Sequence, residues 1–258
     1  MKKIINHLKK LKKQNIVAVK QSLEDEGASF EELTVMRKIT KKASLKHNVK
    51  VGGCEAKTDI YFCEKLGVNG IVAPMVESNY ALRKFMQIIS KNRNQSLYIN
   101  LESIQAFKNI NEMIKAKNFK RLKGIVIGRS DLAGSLNLQK SEVDSKKIFK
   151  LVLNLLKKIK RKKVTTKMGG SLTAKSLDFA NKLYKMKLLD SVETRNIEIK
   201  LSDQVFTNFN KLIIDIFNFE LEWIKYKQKR FSKTKNVIKN DNLSRIRELK
   251  KRIYNLSK

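Results

Sequence analysis

From Asn15 onward, short apolar runs rich in β-branched residues alternate with stretches whose apolar residues recur at helical spacing. Residues 17–20, 48–53, 70–73, 97–101, 123–128, 164–168 and 190–194 read as strands. Residues 30–43, 59–66, 79–90, 104–116, 144–163 and 173–186 read as the helices between them. Strands separated by helices imply parallel pairing with crossover connections, and the runs are as continuously apolar as buried parallel strands tend to be. With an eighth strand at 197–201, the expected fold is α/β, a (β/α)8 TIM-type barrel with a C-terminal helical extension; such a barrel takes about 250 residues, and the chain has 258. An open doubly wound sheet is the alternative. Against it, no Gly-x-Gly-x-x-Gly follows the first strand and no Walker sequence occurs.

The sequence divides into a leading helix at 1–14, a barrel at 15–201 and a helical extension at 202–258. Ile4, Ile5, Leu8 and Leu11 give the leading helix one apolar side. In the extension, 206–223 is rich in Phe and Ile, 225–242 is a polar loop or weak helix, and 243–256 repeats Leu243, Ile246, Leu249 and Ile253 at helical spacing. The 206–223 segment carries more apolar surface than one side of a helix needs. It is therefore expected at the interface of a homo-oligomer, the alternative being that it closes its own barrel.

Charge admits two readings. Lys+Arg total 57 against 24 acidic residues, a net +33. Such a field attracts nucleic acid or anionic lipid, but the basic residues are mostly lysine spread along the chain, as compositional bias on a solvated surface would leave them. Nucleic-acid binding through the basic tail is thus a minor alternative, with little aromatic interleaving to support it. Two cysteines, Cys54 and Cys63, make no disulfide framework or zinc pattern and read as small buried residues. No apolar run is long enough to span a membrane, and a cytoplasmic location is expected.

In a (β/α)8 barrel, functional side chains gather at the C-terminal strand ends. There the sequence places Glu24, Asp25 and Glu26 after strand one, Glu55 after strand two, Glu77 after strand three, Glu102 at the end of strand four, Arg129-Ser130-Asp131 after strand five, and Glu193 and Arg195 at strand seven. Glu102 and Asp131 stand on neighbouring strands, roughly 5 Å apart. They either hold one hard cation, as Mg²⁺ prefers, or cap the following turns. Lys20, Lys50 and Lys167 lie on or near strands, which leaves a Schiff-base lysine open. Gly169-Gly170 is either an anion-binding turn or a plain one. His7 and His47 read as surface residues away from the strand ends.

The segments Gly70-Ile-Val-Ala-Pro-Met-Val-Glu-Ser78, Tyr98-Ile-Asn-Leu-Glu102 and Gly124-Ile-Val-Ile-Gly-Arg-Ser-Asp-Leu-Ala133 resemble, in order and spacing, strand motifs of the HpcH/HpaI aldolase/citrate lyase family, one of the phosphoenolpyruvate/pyruvate-binding barrels. The resemblance runs over about 15–195. It implies that Glu102 and Asp131 are the ligands of Mg²⁺ or Mn²⁺. It places Lys50 where the family's substrate-binding arginine stands, so the charge stays and the bidentate fork is lost. Gly128 and Ser130 become contacts for the bound substrate. The family's histidine after strand one is absent, which leaves Glu24, Glu26 or Glu55 to move the proton. The implied function is a metal-dependent carbon–carbon lyase acting on a pyruvate-type keto acid or related acyl substrate through a stabilised enolate. The alternative is a keto acid-binding barrel without catalysis.

Overall fold

The computed structural model describes residues 1–90, 94–172, 174–231 and 236–258, side chains of 174, 175 and 236–240 aside. It is a closed barrel of eight strands in sequence order. Helix α1 (Lys2–Lys12) precedes β1 (Ile16–Ser22); then come α2 (Phe30–Ala43), β2 (Lys46–Lys50), α3 (Lys57–Leu66), β3 (Gly70–Ala73), α4 (Asn79–Ile88), β4 (Ser96–Leu101), α5 (Ile104–Met113) and β5 (Gly124–Gly128). The short α6 (Arg129–Ser135) leads to α7 (Lys146–Lys160), β6 (Thr165–Gly169), α8 (Ala174–Lys185), β7 (Ser191–Glu193), β8 (Ile197–Lys200), α9 (Asp203–Thr207), α10 (Phe209–Arg230) and α11 (Asn236–Ser257).

Serine marks the strand-to-helix turns. Ser29, Ser78, Ser103 and Ser145 each accept the third helical N–H at the start of α2, α4, α5 and α7, satisfying a donor that the helix itself leaves open. Thr173, where the sequence starts its sixth barrel helix, lies outside the described residues.

The last strand departs from expectation. β1 to β7 run parallel, but β8 is antiparallel to both β7 and β1. Only Thr194, Arg195 and Asn196 separate β7 from β8, and a parallel return needs a crossover of a dozen or more residues. The connection is therefore a hairpin, closed by Thr194 N–H to the Ile197 carbonyl at 2.9 Å. Because β8 runs back toward the end of the barrel where β1 begins, α10 starts there, with Asp215 beside Lys10 and Gln14 of the first helix and its linker. It then climbs the wall, and its 22 residues cover about 33 Å. At the top Glu220 accepts the Asn196 N–H of the hairpin at 3.2 Å.

The apolar surface that pointed to a subunit interface is covered within the chain. Phe209, Leu212, Ile213, Ile216, Phe217, Phe219, Leu221 and Trp223 of α10 are all buried; α10 packs against α1 and α11. The region read as a loop at 225–242 is partly helix: 225–230 complete α10 and 236–242 open α11, while 232–235 lie outside the described residues.

The main core lies between the strands and the surrounding helices. The lumen is different. Only Val72, Tyr98 and Val126 form an apolar cluster there. The rest is polar: Lys20 Nζ reaches Glu193 at 2.7 Å, Lys167 Nζ reaches Glu198 at 2.6 Å and Glu193 at 3.9 Å, and Asn48 donates to Glu198 at 3.1 Å. The Lys167 ammonium also sits 3.8 Å from the centre of the Tyr98 ring. Lysines and glutamates here are equal in number, so the lumen is close to neutral. Removing one member strands a buried charge. Lys167→Met should destabilise the fold by about 3–5 kcal/mol in chemical denaturation, and adding Glu198→Leu should restore part of that loss. A single substitution without measurable cost would contradict this account of the lumen.

Candidate active site

A cavity of about 280 Å³ opens at the C-terminal end of the parallel strands. Six residues singled out in the sequence line it: Glu26, Lys50, Glu102, Gly128, Ser130 and Asp131.

Glu102 follows the last residue of β4 and is buried. Its Oε1 accepts the Met75 N–H at 3.0 Å and its Oε2 accepts the Asn100 side chain at 2.9 Å. Burial, with the Asp131 charge adding to it, raises the carboxyl above its usual range against the opposing pull of these donors and of Lys50. Gly128 is the reason Glu102 fits: a Cβ there would stand 2.5 Å from Oε2 and 2.8 Å from the Glu102 Cβ. Asp131 is exposed in the cavity, on the first turn of α6. Among the described residues no group of three or more His, Cys, Asp or Glu comes together. The cation-holding set is thus two carboxylates. A carboxylate has about four lone-pair sites, and Glu102 commits one hydrogen bond on each oxygen, so it can still ligate. Two carboxylates with open positions for water and substrate oxygens suit Mg²⁺ or Mn²⁺.

Lys50 ends β2. Its ammonium lies 2.8 Å from Glu24 and 3.7 Å from Asp25. Burial opposes its charge, but Asp25, Glu24 and Glu102 together outweigh burial and hold it above the ordinary lysine range. Glu24 takes part through this ion pair and does not line the cavity. Glu26 does: the Asn196 side chain donates to both its oxygens at 3.0 and 3.1 Å. Burial pushes its carboxyl up to about 7, against the pull of Lys227 and Arg195. Ser130 meets Ser171 at 3.2 Å. Arg129, fully buried, donates to the Gly169 and Gly170 carbonyls and pairs with Asp144, which clamps the turn after β6 beside α6. Gly170 has φ +88°, and a Cβ there would meet the Ser130 N at 2.6 Å. The Gly169-Gly170 turn is therefore tightly packed structure as well as cavity wall.

Glu55 is not brought to the site. The sequence carried strand two to residue 53, whereas β2 stops at Lys50, and the extra residues lead away to α3. There Glu55 is exposed and pairs with Lys84 at 2.7 Å. The histidines also differ from expectation, since neither is a free surface group. His47 is fully buried in β2 on Gln21, and burial lowers its pKa to about 3; His7 pairs with Glu222 at 3.1 Å. Lys167 is sealed in the lumen as an ammonium, held charged by Glu193 and Glu198 against burial, and is no Schiff-base nucleophile in that state. Burial raises Cys54 to about 11 and Cys63 to about 12, consistent with inert thiols.

Sequence reading missed the residues that α11 and its neighbours add: Lys140, Arg245 and Arg252 line the same cavity. One signal was available. Arg245 and Arg252 are seven apart, two turns along one helical face, in a chain whose basic residues are mostly lysine. No described helix is long and apolar enough to cross a membrane.

The HpcH/HpaI aldolase/citrate lyase family model matches residues 33–166. The fold is similar to the HpcH/HpaI aldolase from Desulfitobacterium hafniense DCB-2, with TM-score 0.62 and 11% identity over 74% of this chain and 81% of that one. It is similar to an HpcH/HpaI aldolase/citrate lyase family protein from Burkholderia cenocepacia J2315, with TM-score 0.61 and 11% identity over 74% and 82%. It is also similar to the citrate synthase SbnG, with TM-score 0.60 and 13% identity over 74% and 81%. No curated protein matches the chain.

Gly128→Ala should force Glu102 aside. Titration calorimetry with Mg²⁺ should then show affinity weakened about 10- to 100-fold, as when a group orienting a ligand is lost. An unchanged affinity would mean that this pair does not hold the cation.

Proposed function

This chain belongs to the HpcH/HpaI aldolase/citrate lyase family, and from the residues at its barrel mouth we propose that it is a divalent metal-dependent carbon–carbon lyase acting on a 4-hydroxy-2-keto acid or a closely related acyl substrate. The observation that carries this reading is the meeting of Glu102 and Asp131 with Lys50 and Glu26 in one small cavity.

Glu102 and Asp131 would hold Mg²⁺ or Mn²⁺. When bound, the cation supplies Lewis-acid stabilisation of the charge that develops on the keto acid oxygens. The protein's own groups account for the rest. The Lys50 ammonium adds a fixed positive charge beside the developing enolate, electrostatic stabilisation placed before the reaction starts. Gly128 and Ser130 line the cavity where the substrate carboxylate would lie. Glu26 takes the place of the missing histidine. Its carboxylate accepts the proton of the substrate hydroxyl as the adjacent carbon–carbon bond breaks. The bonding pair stays with the pyruvate unit as its enolate, and the remainder leaves as a carbonyl compound. A group titrating near 7 suits this task, because it can both take and return a proton at neutral pH.

The protein should release pyruvate from keto acid aldols in a metal-supplemented, pyruvate-coupled assay. Glu102→Gln or EDTA should abolish turnover; activity indifferent to both would refute the mechanism.

The pH profile gives a separate check. Glu26 must be unprotonated to act as base, so kcat/KM should rise with pH along a limb centred near 7, the position to which burial moves this carboxyl. In Glu26→Gln the limb should vanish along with most of the activity. A wild-type profile flat from pH 5 to 8 would remove Glu26 from this role.

A further inference from the structure

The cavity wall facing the carboxylate pair is strongly basic. In a ring of eight strands, the β7–β8 hairpin lies opposite β4 and β5. Glu102 and Asp131 belong to the latter side. Arg195 stands at the tip of the hairpin, exposed and lining the cavity. Lys140, in the turn before α7, lines it too. Neither has a carboxylate within ion-pairing reach among the described residues; Arg195 acts on Asp25 and Glu26 only through its field.

The two carboxylates that could neutralise this wall are already engaged by α11. Glu220 lies 2.9 Å from Arg245, and Glu248 is shared between Arg245 at 2.7 Å and Arg252 at 2.6 Å. Arg245 and Arg252 therefore cancel Glu220 and Glu248, leaving Arg195 and Lys140 as an unneutralised surplus. The acidic groups of the cavity are committed on the other side: Asp25 to Lys50, and Glu102 and Asp131 to one another's field. An eight-stranded ring at about 4.8 Å spacing is roughly 15 Å across, and side chains entering from both walls shorten that gap. A three-carbon keto acid anchored at Glu102 and Asp131 would leave the basic wall empty; a longer chain would reach it.

We propose that Arg195 and Lys140 form a second anion subsite, and that the substrate carries a second anionic group, a carboxylate or a phosphate ester, at the end remote from its keto acid. This rests on the lyase reading for the position of the keto acid and adds the chemistry of the other end. The cavity holds about 280 Å³, the share of about nine waters. A compact dianion fits that space; a large carrier thioester would have to lie mostly outside.

Matched probes test the proposal on the full chain with Mg²⁺ present. Titration calorimetry would compare 2-oxovalerate with 2-oxoglutarate, which differ in the distal carboxylate, and with 2-oxo-4-phosphonobutanoate, which replaces it by a phosphonate. Both dianions should bind about tenfold or more tightly than 2-oxovalerate, the scale of one charge-assisted contact. The preferred dianion then tells carboxylate from phosphate. In Arg195→Gln, and separately in Lys140→Gln, the ratio of dianion to monoanion affinity should fall toward one. Equal affinities in the wild type, or a ratio that neither substitution moves, would overturn the subsite. Pyruvate serves as the reference: if it binds and the ratio is one, the subsite fails while the lyase reading stands. If no keto acid binds, both fall together.

Discussion

Charge pairing inside the barrel is the constraint that the rest of the structure must accommodate. Most barrels of this kind fill the lumen with layers of branched aliphatic side chains. Here Lys20, Lys167, Glu193 and Glu198 occupy it, contributed by β1, β6, β7 and β8. Ions taken from water recover their hydration only in good geometry, so these four strands must keep their register for the pairs to meet. Lys20 and Lys167 outweigh burial at Glu193 and hold its carboxyl below the ordinary range. Protonation is thus fixed at this depth. Nearer the mouth, burial wins at Glu26 and Glu102, whose carboxyls are raised. Fixed charge below and titratable charge above divide a scaffold from a site capable of moving protons.

The mouth also separates its charges by side. Acidic groups cluster at β4, β5 and the β1 loop, with Lys50 among them, while arginines and Lys140 gather by the β7–β8 hairpin and α11. The net +33 of the chain predicts neither cluster; their placement comes from topology. A reversed β8 returns the chain to the far end of the barrel, so α10 must climb back and deliver α11 beside the opening.

Much of this was legible in the sequence. Periodicity locates the first seven strands because each run is apolar and bounded by turns, and Glu102 and Asp131 fall at strand ends that the motifs also mark. What escaped detection depends on distance. Glu55 was misplaced by a strand end that differs by three residues, within the ordinary uncertainty of such boundaries. Direction in β8 is not encoded in its residues, and only the brevity of the 194–196 connection betrays it. Glu26 could be named as a candidate among its acidic neighbours, but its singular character comes from burial and from Asn196, 170 positions away. Arg245 and Arg252 looked like any solvated basic helix until α10 was seen to carry α11 to the cavity.

The reversal of β8 has one more consequence, which concerns motion. The barrel closes where Ile16 meets Ile199, across an irregular register at Ala18. This seam joins segments far apart in the chain, and the strands on its later side are only three and four residues long. Long-range pairings of this kind carry the largest closure entropy, so the seam is the part of the wall that opens at the lowest free energy. Asn196 bridges it, bonded to the Lys20 carbonyl and to Glu26. Breathing of the seam therefore loosens the grip on Glu26 and exposes it to water, where its proton affinity returns toward that of a free carboxylate. In this molecule the cheapest fluctuation of the fold and the setting of its acid–base group are one mechanical event.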